Sequence, residues 1–288
     1  MRQIRVQRKT LDIIMSVIRT LLVTAGVVAC LYLFLIHPRW PRRPLAGLAG
    51  YMYAHRGLWD EMSPENSLPA FQAAAEAGYG IELDVQMTRD GILVVFHDDT
   101  TDRMCGVPGH IRDRTWAELQ SLRLQGGQER IPSLDEVLEV VHGRVPLIVE
   151  IKSCPGIRAL CRRTADRLMA YSGPYCVESF DPRAVWFFRW HAPDVIRGQL
   201  AFSLKGGGGH RKTAGNYLLG TLIQNALSRP DFVAFETVSD DVVSLSLVGK
   251  LGAHLVGWTA RSQEEVNEKR DRYELFIFES FRPELTAP

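Results

Sequence analysis

Residues 80–85 read Gly-Ile-Glu-Leu-Asp-Val, an apolar run with two acidic residues at alternate positions. Successive side chains of a β-strand point to opposite faces, so Glu82 and Asp84 share one face and the aliphatic residues share the other. A lone acidic residue usually belongs to a surface salt bridge. Two acids on one face of an apolar strand instead indicate a buried polar site, and they predict the sheet that carries it.

Seven similar runs flank this one, which gives predicted strands at 51–55, 80–85, 146–151, 175–179, 195–201, 231–235, 254–259 and 274–279. Stretches with helical periodicity separate most of them, at 67–77, 133–141, 157–171, 182–191, 216–227, 241–251 and 262–270. Strands that alternate with helices form parallel βαβ units. Eight such strands predict an α/β fold of the (β/α)8, or TIM-type, barrel class, whose usual size is about 250 residues. An open doubly wound sheet is the alternative, but no Gly-x-Gly-x-x-Gly motif follows the first strand.

A short extra strand is predicted directly after the second barrel strand. Residues 92–97 follow that strand across Asp90-Gly91, a dipeptide typical of two-residue hairpin turns. A link this short requires antiparallel pairing, so these residues form a hairpin arm rather than a barrel strand. If Asp90-Gly91 is the turn, Asp84 lies opposite His97. This register predicts a histidine beside an acidic residue at the barrel mouth.

The N-terminus differs in composition from the rest of the chain. We expect a basic segment over 1–19, a transmembrane helix over 20–37, a proline-rich linker over 38–49 and the barrel domain over 50–288. The uncharged residues 20–36 give roughly 25 Å of helix, close to the thickness of a hydrocarbon core. A buried core helix and a cleaved signal peptide are the alternatives. The apolar run continues for six residues beyond Cys30, which argues against cleavage there.

These features predict a single-pass protein of the cell membrane. Five basic residues precede the span and three follow it, which weakly favours a cytoplasmic N-terminus and an extracytoplasmic barrel. Four further cysteines are unusual in an exported domain, so the orientation stays open. One span without a second apolar run of similar length excludes a transporter.

Charge and cysteine content exclude other classes of protein. The chain has 34 Lys and Arg against 33 Asp and Glu, so we expect no nucleic-acid partner. Its five cysteines lack the spacing of a zinc finger and are too few for a disulfide scaffold. Composition gives no oligomeric state.

Polar residues recur near the ends of the predicted strands, namely His55-Arg56, Glu82 with Asp84, Glu150 with Lys152, Glu236, and Trp258-Thr259. The carboxyl end of a (β/α)8 barrel holds its active site. Converging carboxylates repel one another unless a cation neutralises them. Oxygen ligands without closely spaced cysteine or histidine favour Mg²⁺ or Ca²⁺ over zinc. Arg56 and Lys152 either clamp an anion such as phosphate or pair with the carboxylates.

Several motifs together resemble the glycerophosphodiester phosphodiesterase family. They are His55-Arg56-Gly57, Pro64-Glu65-Asn66-Ser67, Glu82-Leu83-Asp84-Val85, Thr88-Arg89-Asp90-Gly91, His97-Asp98 and Glu150-Ile151-Lys152, and they are followed by Ser179-Phe180-Asp181-Pro182 and Trp258-Thr259. The resemblance runs from Tyr51 to Pro283. It departs from the family at the end of the last strand, where Phe278-Glu279-Ser280-Phe281 stands, and this puts substrate contacts there in doubt.

The resemblance implies a role for each site residue. His55 and His97 would be the catalytic pair, and Glu82, Asp84 and Glu150 would bind one divalent cation, Mg²⁺ or Ca²⁺. Arg56 and Lys152 would hold the substrate phosphate, with Glu65 and Trp258 as further substrate-binding residues. It also implies a small insertion between the second strand and its helix, roughly over 86–128.

The implied reaction is hydrolysis of a small glycerophosphodiester to sn-glycerol 3-phosphate and an alcohol. One histidine would take a proton from the nucleophile, either water or a glycerol hydroxyl, and the other would protonate the leaving alcohol. Two alternatives remain. The first is a membrane-anchored phosphodiesterase that acts on intact lipid, and the second is a non-catalytic module that binds head groups.

Overall fold

The computed structural model describes residues 2–204 and 213–284, and it contains a closed barrel. Its strands are β1 Met52–His55, β2 Gly80–Met87, β3 Leu93–Val95, β4 Leu147–Ile151, β5 Tyr175–Ser179, β6 Arg197–Ala201, β7 Phe232–Glu236, β8 His254–Ala260 and β9 Leu275–Phe278. All except β3 pair in parallel, and β1 pairs with both β9 and β2, which closes the ring. The predicted eight-stranded barrel is therefore confirmed.

The helices in chain order are α1 Arg2–Ile36, α2 Leu68–Glu76, α3 Asp102–Cys105, α4 Trp116–Gln120, α5 Leu134–Val141, α6 Ile157–Met169, α7 Pro182–His191, α8 Ala214–Thr221, α9 Asn225–Ser228, α10 Val243–Lys250 and α11 Gln263–Lys269. The single helix predicted over 216–227 is wrong, since the chain forms α8 and α9 instead. Leu222 ends α8 in the left-handed region at a φ of 60° and is fully buried. The break also lets buried Asn225 donate to the carbonyl of Ile36, 3.0 Å away.

Each barrel strand separates two apolar regions. Ile81, Leu83 and Val85 point outward into the large core between the sheet and the helices. A smaller core fills the barrel interior and includes Tyr53, Ile148 and Val256. The alternation that places aliphatic residues outside places Glu82, Asp84 and Glu150 inside, near the carboxyl ends of β2 and β4.

The hairpin after β2 exists, but the predicted register is wrong by one residue. Met87 pairs with Leu93 and Val85 with Val95, so Phe96, not His97, follows opposite Asp84. The turn has three residues between Thr88 and Ile92 rather than two, and its last residue, Gly91, has a φ of 87°. Asp90 selects this turn because its carboxylate accepts from the Thr88 hydroxyl and from the Trp116 N–H.

The segment between the hairpin and α5 forms a small subdomain beside the barrel mouth. Its core contains Val94, Phe96, Met104, Ile111, Leu119 and Leu124. This core fixes the chain on both sides of His97 and Asp98. The predicted insertion therefore positions part of the site.

The N-terminal helix is continuous, and its last turns pack on the barrel. Residues Leu11–Ile36 are long and apolar enough to cross a membrane, and no other such helix is present in residues 2–204 and 213–284. The Tyr32 hydroxyl donates to the carbonyl of Thr221 over 3.0 Å, and Ile36 is fully buried. Residues 38–49 then run across the amino-terminal ends of the strands, where Leu45 and Leu48 enter the inner core.

Candidate active site

Three carboxylates form the centre of the site. Glu82 and Asp84 lie on β2, and Glu150 lies on β4, where it is the register partner of Asp84. All three are buried, and their ligand atoms lie within 4.8 Å of one another. The alternation of β2 and the pairing of β2 with β4 are sufficient to bring them together.

Two cations contact this cluster. Lys152 Nζ lies 3.2 Å from Asp84 Oδ1 and 2.9 Å from Glu150 Oε1. Arg56 lies on the other side, with Nε 3.5 Å from Asp84 Oδ2 and its backbone N–H donating to Glu82 Oε2 over 3.0 Å. Both therefore pair with the carboxylates in this structure, and both remain at the barrel mouth, where an anion would meet them.

The electrostatics of the cluster are uneven. Burial acts to raise the pKa of Asp84, but the charges of Lys152, His97 and Arg56 outweigh it and hold that pKa far below its usual range. The pKa of Glu82 is raised well above its usual range by burial and by the charges of Asp84 and Glu150. The two cations thus satisfy Asp84 but leave Glu82 under-compensated.

A fourth buried acid, Glu178 on β5, adds to this excess of negative charge. It is the register partner of Glu150. Burial, followed by the charges of Glu150 and Asp84, raises its pKa well above the usual range, and its Oε2 has no hydrogen-bond partner among the described residues. An additional hard cation would relieve this repulsion, so the residues fit a Mg²⁺- or Ca²⁺-type ion.

His55 lies at the end of β1 with its two ring nitrogens in different surroundings. Nδ1 is 2.7 Å from Glu279 Oε2, and Nε2 is 4.0 Å from Glu82 Oε2. A carboxylate only accepts, so Nδ1 carries the proton and Nε2 faces the cluster. Burial lowers the pKa of His55 despite the opposing effect of Glu279.

Glu279 is in turn held by an arginine. Its Oε1 accepts from Arg261 Nε over 2.9 Å and from Arg261 Nη2 over 2.7 Å. The hydrogen bond from His55 is the largest cause that lowers the pKa of Glu279, to about 2. The end of the last strand, where the sequence departs from the family motif, therefore orients one of the two predicted catalytic residues.

His97 follows β3 in the small subdomain and is one-third exposed. Its Nδ1 lies 2.7 Å from Asp98 Oδ1, and Arg103 Nε donates to Asp98 Oδ2 over 2.7 Å. Its charge helps to lower the pKa of Asp84, so it lies beside the cluster although the predicted strand register is wrong. Both histidines thus have a carboxylate at Nδ1.

The other two predicted substrate-binding residues lie on different walls of the mouth. Glu65 Oε1 accepts from Arg56 Nη1 over 2.9 Å and from Arg103 Nη2 over 2.6 Å. Trp258 lies on β8 and packs edge-on against Phe180, with ring centroids 5.5 Å apart. The structure places all nine predicted residues at the carboxyl end of the barrel, and their individual roles stay predictions.

The sequence pattern left four contributors without a role. Asn66 donates to Asp84 Oδ2 over 2.9 Å, and Asp98, Glu178 and Glu279 make the contacts described above. Glu178 carries the same sequence signal as Glu82, since it is an acid within an apolar strand. Glu279 carries only the weaker signal of a polar residue at a strand end, and its partner is 224 residues away in the chain.

Comparison with known proteins places this geometry in context. Residues 55–272 match the glycerophosphoryl diester phosphodiesterase family. The Bacillus subtilis protein YhdW is 30% identical over 229 residues, which cover 74% of this chain and 87% of that protein. A glycerophosphodiester phosphodiesterase of Caldanaerobacter subterraneus is 45% identical over 108 residues, or 35% of this chain and 44% of that protein. An Oleispira antarctica phosphodiesterase, solved with the product sn-glycerol-3-phosphate, shares the fold with a TM-score of 0.67 at 24% identity, over 80% of this chain and 93% of that one.

Proposed function

The chain belongs to the glycerophosphoryl diester phosphodiesterase family, and we propose that it hydrolyses small glycerophosphodiesters to sn-glycerol 3-phosphate and an alcohol. One observation carries this proposal: two histidines, each with a carboxylate at Nδ1, flank a buried cluster of three carboxylates and two cations. That arrangement combines proton transfer with binding of an anionic phosphate.

Glu82, Asp84 and Glu150 would hold one divalent cation, Mg²⁺ or Ca²⁺. Their burial, their mutual approach within 4.8 Å and the raised pKa of Glu82 support this assignment. When bound, such an ion neutralises a phosphate oxygen and lowers the pKa of a coordinated hydroxyl.

The protein's own groups would bind the phosphate and move the protons. Arg56 and Lys152 already lie at the mouth, and their charges offset the negative charge that develops on the phosphate oxygens. The Nε2 atoms of His55 and His97 would serve as base and acid, a transfer that typically contributes about 10²–10⁴-fold. The nucleophile is either water or a glycerol hydroxyl, and the second choice forms a cyclic phosphate first.

A second candidate is a phosphodiesterase that acts on intact lipid. It is favoured by exposed apolar side chains at the active-site end of the barrel, Val238 and Val243, which follow β7. Tyr217 and Leu218 of α8 are also exposed, close to the point where Tyr32 of α1 contacts Thr221. These four exposed apolar residues lie on the same side of the barrel as α1, the helix that we assign to the membrane.

We further propose that α1 anchors the protein in the cell membrane and that the barrel lies outside the cytoplasm. The uncharged residues 20–36 give about 25 Å of helix, and they lie within Leu11–Ile36, which is long and apolar enough to cross a membrane. Protease treatment of intact cells tests the orientation. Digestion of the barrel supports it, and protection until the cells are lysed contradicts it.

Identification of the products tests the enzymatic proposal. We would incubate the full chain with glycerophosphocholine or lysophosphatidylcholine, with Mg²⁺, Ca²⁺ or EDTA, and follow the products by phosphorus NMR. Cation-dependent formation of glycerol 3-phosphate supports the first candidate, and a cyclic phosphate intermediate identifies the glycerol hydroxyl as nucleophile. Turnover confined to the lysolipid, with release of either choline or phosphocholine, supports the second candidate and contradicts the first.

A further inference from the structure

A second cavity lies away from the barrel mouth, where α1 ends on the barrel. It has a volume of about 840 Å³ and lies between the end of α1, the last turn of α7 and the residues that precede β7. Four arginines line it, Arg39, Arg189, Arg197 and Arg229, together with aromatic residues that include Phe34 and Trp190. None of these residues belongs to the phosphodiesterase site.

The cavity has more positive charge than the nearby acid can balance. Asp231 is the carboxylate beside these arginines, 3.7 Å from both Arg39 Nε and Arg197 Nη1, and it is shared with Arg43 at 3.4 Å. The Arg197 side chain is only 3% exposed, yet its Nη1 has no hydrogen-bond partner in the part of the chain that the structure describes. Its Nε donates to the Ser228 carbonyl over 3.3 Å and its Nη2 to the Arg229 carbonyl over 2.8 Å, so Nη1 is the buried donor that an additional anion in the cavity would satisfy.

The surroundings of Arg197 point the same way. Burial lowers its pKa to about 10, and the charges of Arg39, Arg43 and Arg189 act in the same direction while Asp231 opposes them. An anion in the cavity would oppose this lowering of the pKa. Two other arginines that line the cavity lie over aromatic rings, Arg229 over Phe34 and Arg189 over Trp190, each at 4.8 Å.

The cavity is also at a defined depth relative to α1. Phe34 lines the cavity and lies three residues before His37, where the apolar run of α1 ends. A polar layer about 5–8 Å thick borders the hydrocarbon core on each side of a bilayer, so the end of the apolar run places the cavity next to that layer. Phe34 and Trp190 are 63% and 61% exposed and Trp40 is 81% exposed, as expected for aromatic residues at a membrane interface.

We propose that this cavity binds the phosphate of an anionic phospholipid from the bilayer that α1 crosses. The bound headgroup would pair with Arg197 and the flanking arginines while its acyl chains lie along the exposed side of α1. This inference rests on the proposed membrane position of α1, and it is independent of the phosphodiesterase chemistry.

Native mass spectrometry of the full chain, released from nanodiscs, tests the proposal. The nanodiscs would contain phosphatidylcholine alone or with phosphatidylglycerol, and retained lipid would be counted. We expect phosphatidylglycerol to be retained in preference to phosphatidylcholine. We expect Arg39→Gln and Arg189→Gln each to weaken the binding of phosphatidylglycerol about fivefold. Arg162→Gln is the matched control, since Arg162 is exposed on α6 and does not line the cavity.

The proposal would be overturned by equal retention of the two lipids, or by an Arg162→Gln variant that weakens lipid retention as much as the cavity variants do. It would also be overturned if inorganic phosphate displaced the bound lipid as effectively as added phosphatidylglycerol, since that result indicates a site for free phosphate. Failure of the chain to insert into nanodiscs would also overturn it. Turnover of glycerophosphocholine in detergent, measured for the same variants, should be unchanged. A loss of retention with normal turnover thus separates this site from the catalytic one.

Discussion

Replacement of Glu279 tests whether the end of the last strand orients His55. Glu279→Gln preserves the shape of the side chain but removes the negative charge that accepts from His55 Nδ1 over 2.7 Å. The amide is a weaker acceptor, and its NH2 group can donate to Nδ1 instead. The second arrangement moves the ring proton to Nε2 and blocks that atom as a base.

The expected size of the effect follows from the hydrogen bond. A bond to a charged group contributes about 1–1.5 kcal/mol more than a neutral one, which corresponds to a roughly tenfold lower kcat. Glu279→Ala removes the acceptor altogether, and we expect a loss of about 100-fold, as for other residues that orient a functional histidine. KM should change little, because Glu279 contacts His55 and Arg261 rather than the phosphate-binding groups.

The pH profile provides a readout that a structural defect would not reproduce. The Glu279 carboxylate favours protonated His55, so its removal lowers the pKa of that histidine further. The limb of the kcat profile that belongs to His55 should therefore move to lower pH. Movement of the acidic limb identifies His55 as the base, and movement of the basic limb identifies it as the acid.

The chain offers a matched control at the opposite end of the barrel. Glu274 Oε2 lies 2.7 Å from His254 Nδ1, the same type of pair outside the site. Glu274→Gln should leave kcat and its pH profile unchanged, as measured by release of glycerol 3-phosphate. The reasoning is refuted if both Glu279 variants retain wild-type kcat, or if Glu274→Gln loses as much activity as Glu279→Gln.

Three further predictions concern stability. A divalent cation at a hundredfold excess over its Kd should raise Tm by roughly 5–10 °C in calorimetry. Glu82→Gln should remove most of this increase in Tm. An equal increase in the variant would argue against a cation site at the carboxylates. Leu48→Ala should cost about 2–5 kcal/mol of unfolding free energy in urea titration, because Leu48 is buried in the inner core. Leu218→Ala, at an exposed position, serves as the control. Equal effects of the two substitutions would show that residues 38–49 do not stabilise the barrel. The lowered pKa of Glu279 contributes stability that is present above pH 4.5 and lost as the pH falls to about 2. In an acid titration, the unfolding free energy of Glu279→Gln should therefore fall less steeply over this interval than that of the wild type. An unchanged slope would count against the ion pair of Glu279 with His55.

The barrel and its carboxylates could be predicted because both depend on local patterns. Alternation within β2 places Glu82 and Asp84 on one face, and the parallel βαβ rule brings β4 beside it with Glu150. Neither inference requires knowledge of a distant contact. The same rule applies to Glu178 and could have added it to the set.

The hairpin register and the partner of His55 could not be predicted in the same way. The register depends on the contacts of Asp90 with Thr88 and with Trp116, and the second of these crosses the small subdomain. The pairing of His55 with Glu279 depends on closure of the barrel between β1 and β9. Sequence spacing does not report contacts that form only when the ring closes.

The path of the N-terminal segment is a related case. Prolines at 38, 41 and 44 predict a stiff linker, whereas the contacts that hold it come from the residues before β6 and β7 and from His254 at the start of β8. Arg43, for example, donates to the carbonyl of Pro193 over 2.8 Å, and the Tyr53 hydroxyl donates to the carbonyl of Leu48 over 2.7 Å. Arg43 and Pro193 are 150 residues apart in the sequence, so only the folded chain brings them together.

The most direct test of the proposed function is the rate of glycerol 3-phosphate release from glycerophosphocholine by the full chain in detergent. The rate would be measured with Mg²⁺, Ca²⁺ or EDTA, for the wild type and for His97→Ala. We expect cation-dependent turnover that falls by at least about 100-fold in the variant. Turnover that persists in EDTA, a variant as active as the wild type, or no release by folded protein that binds the cation would contradict the account.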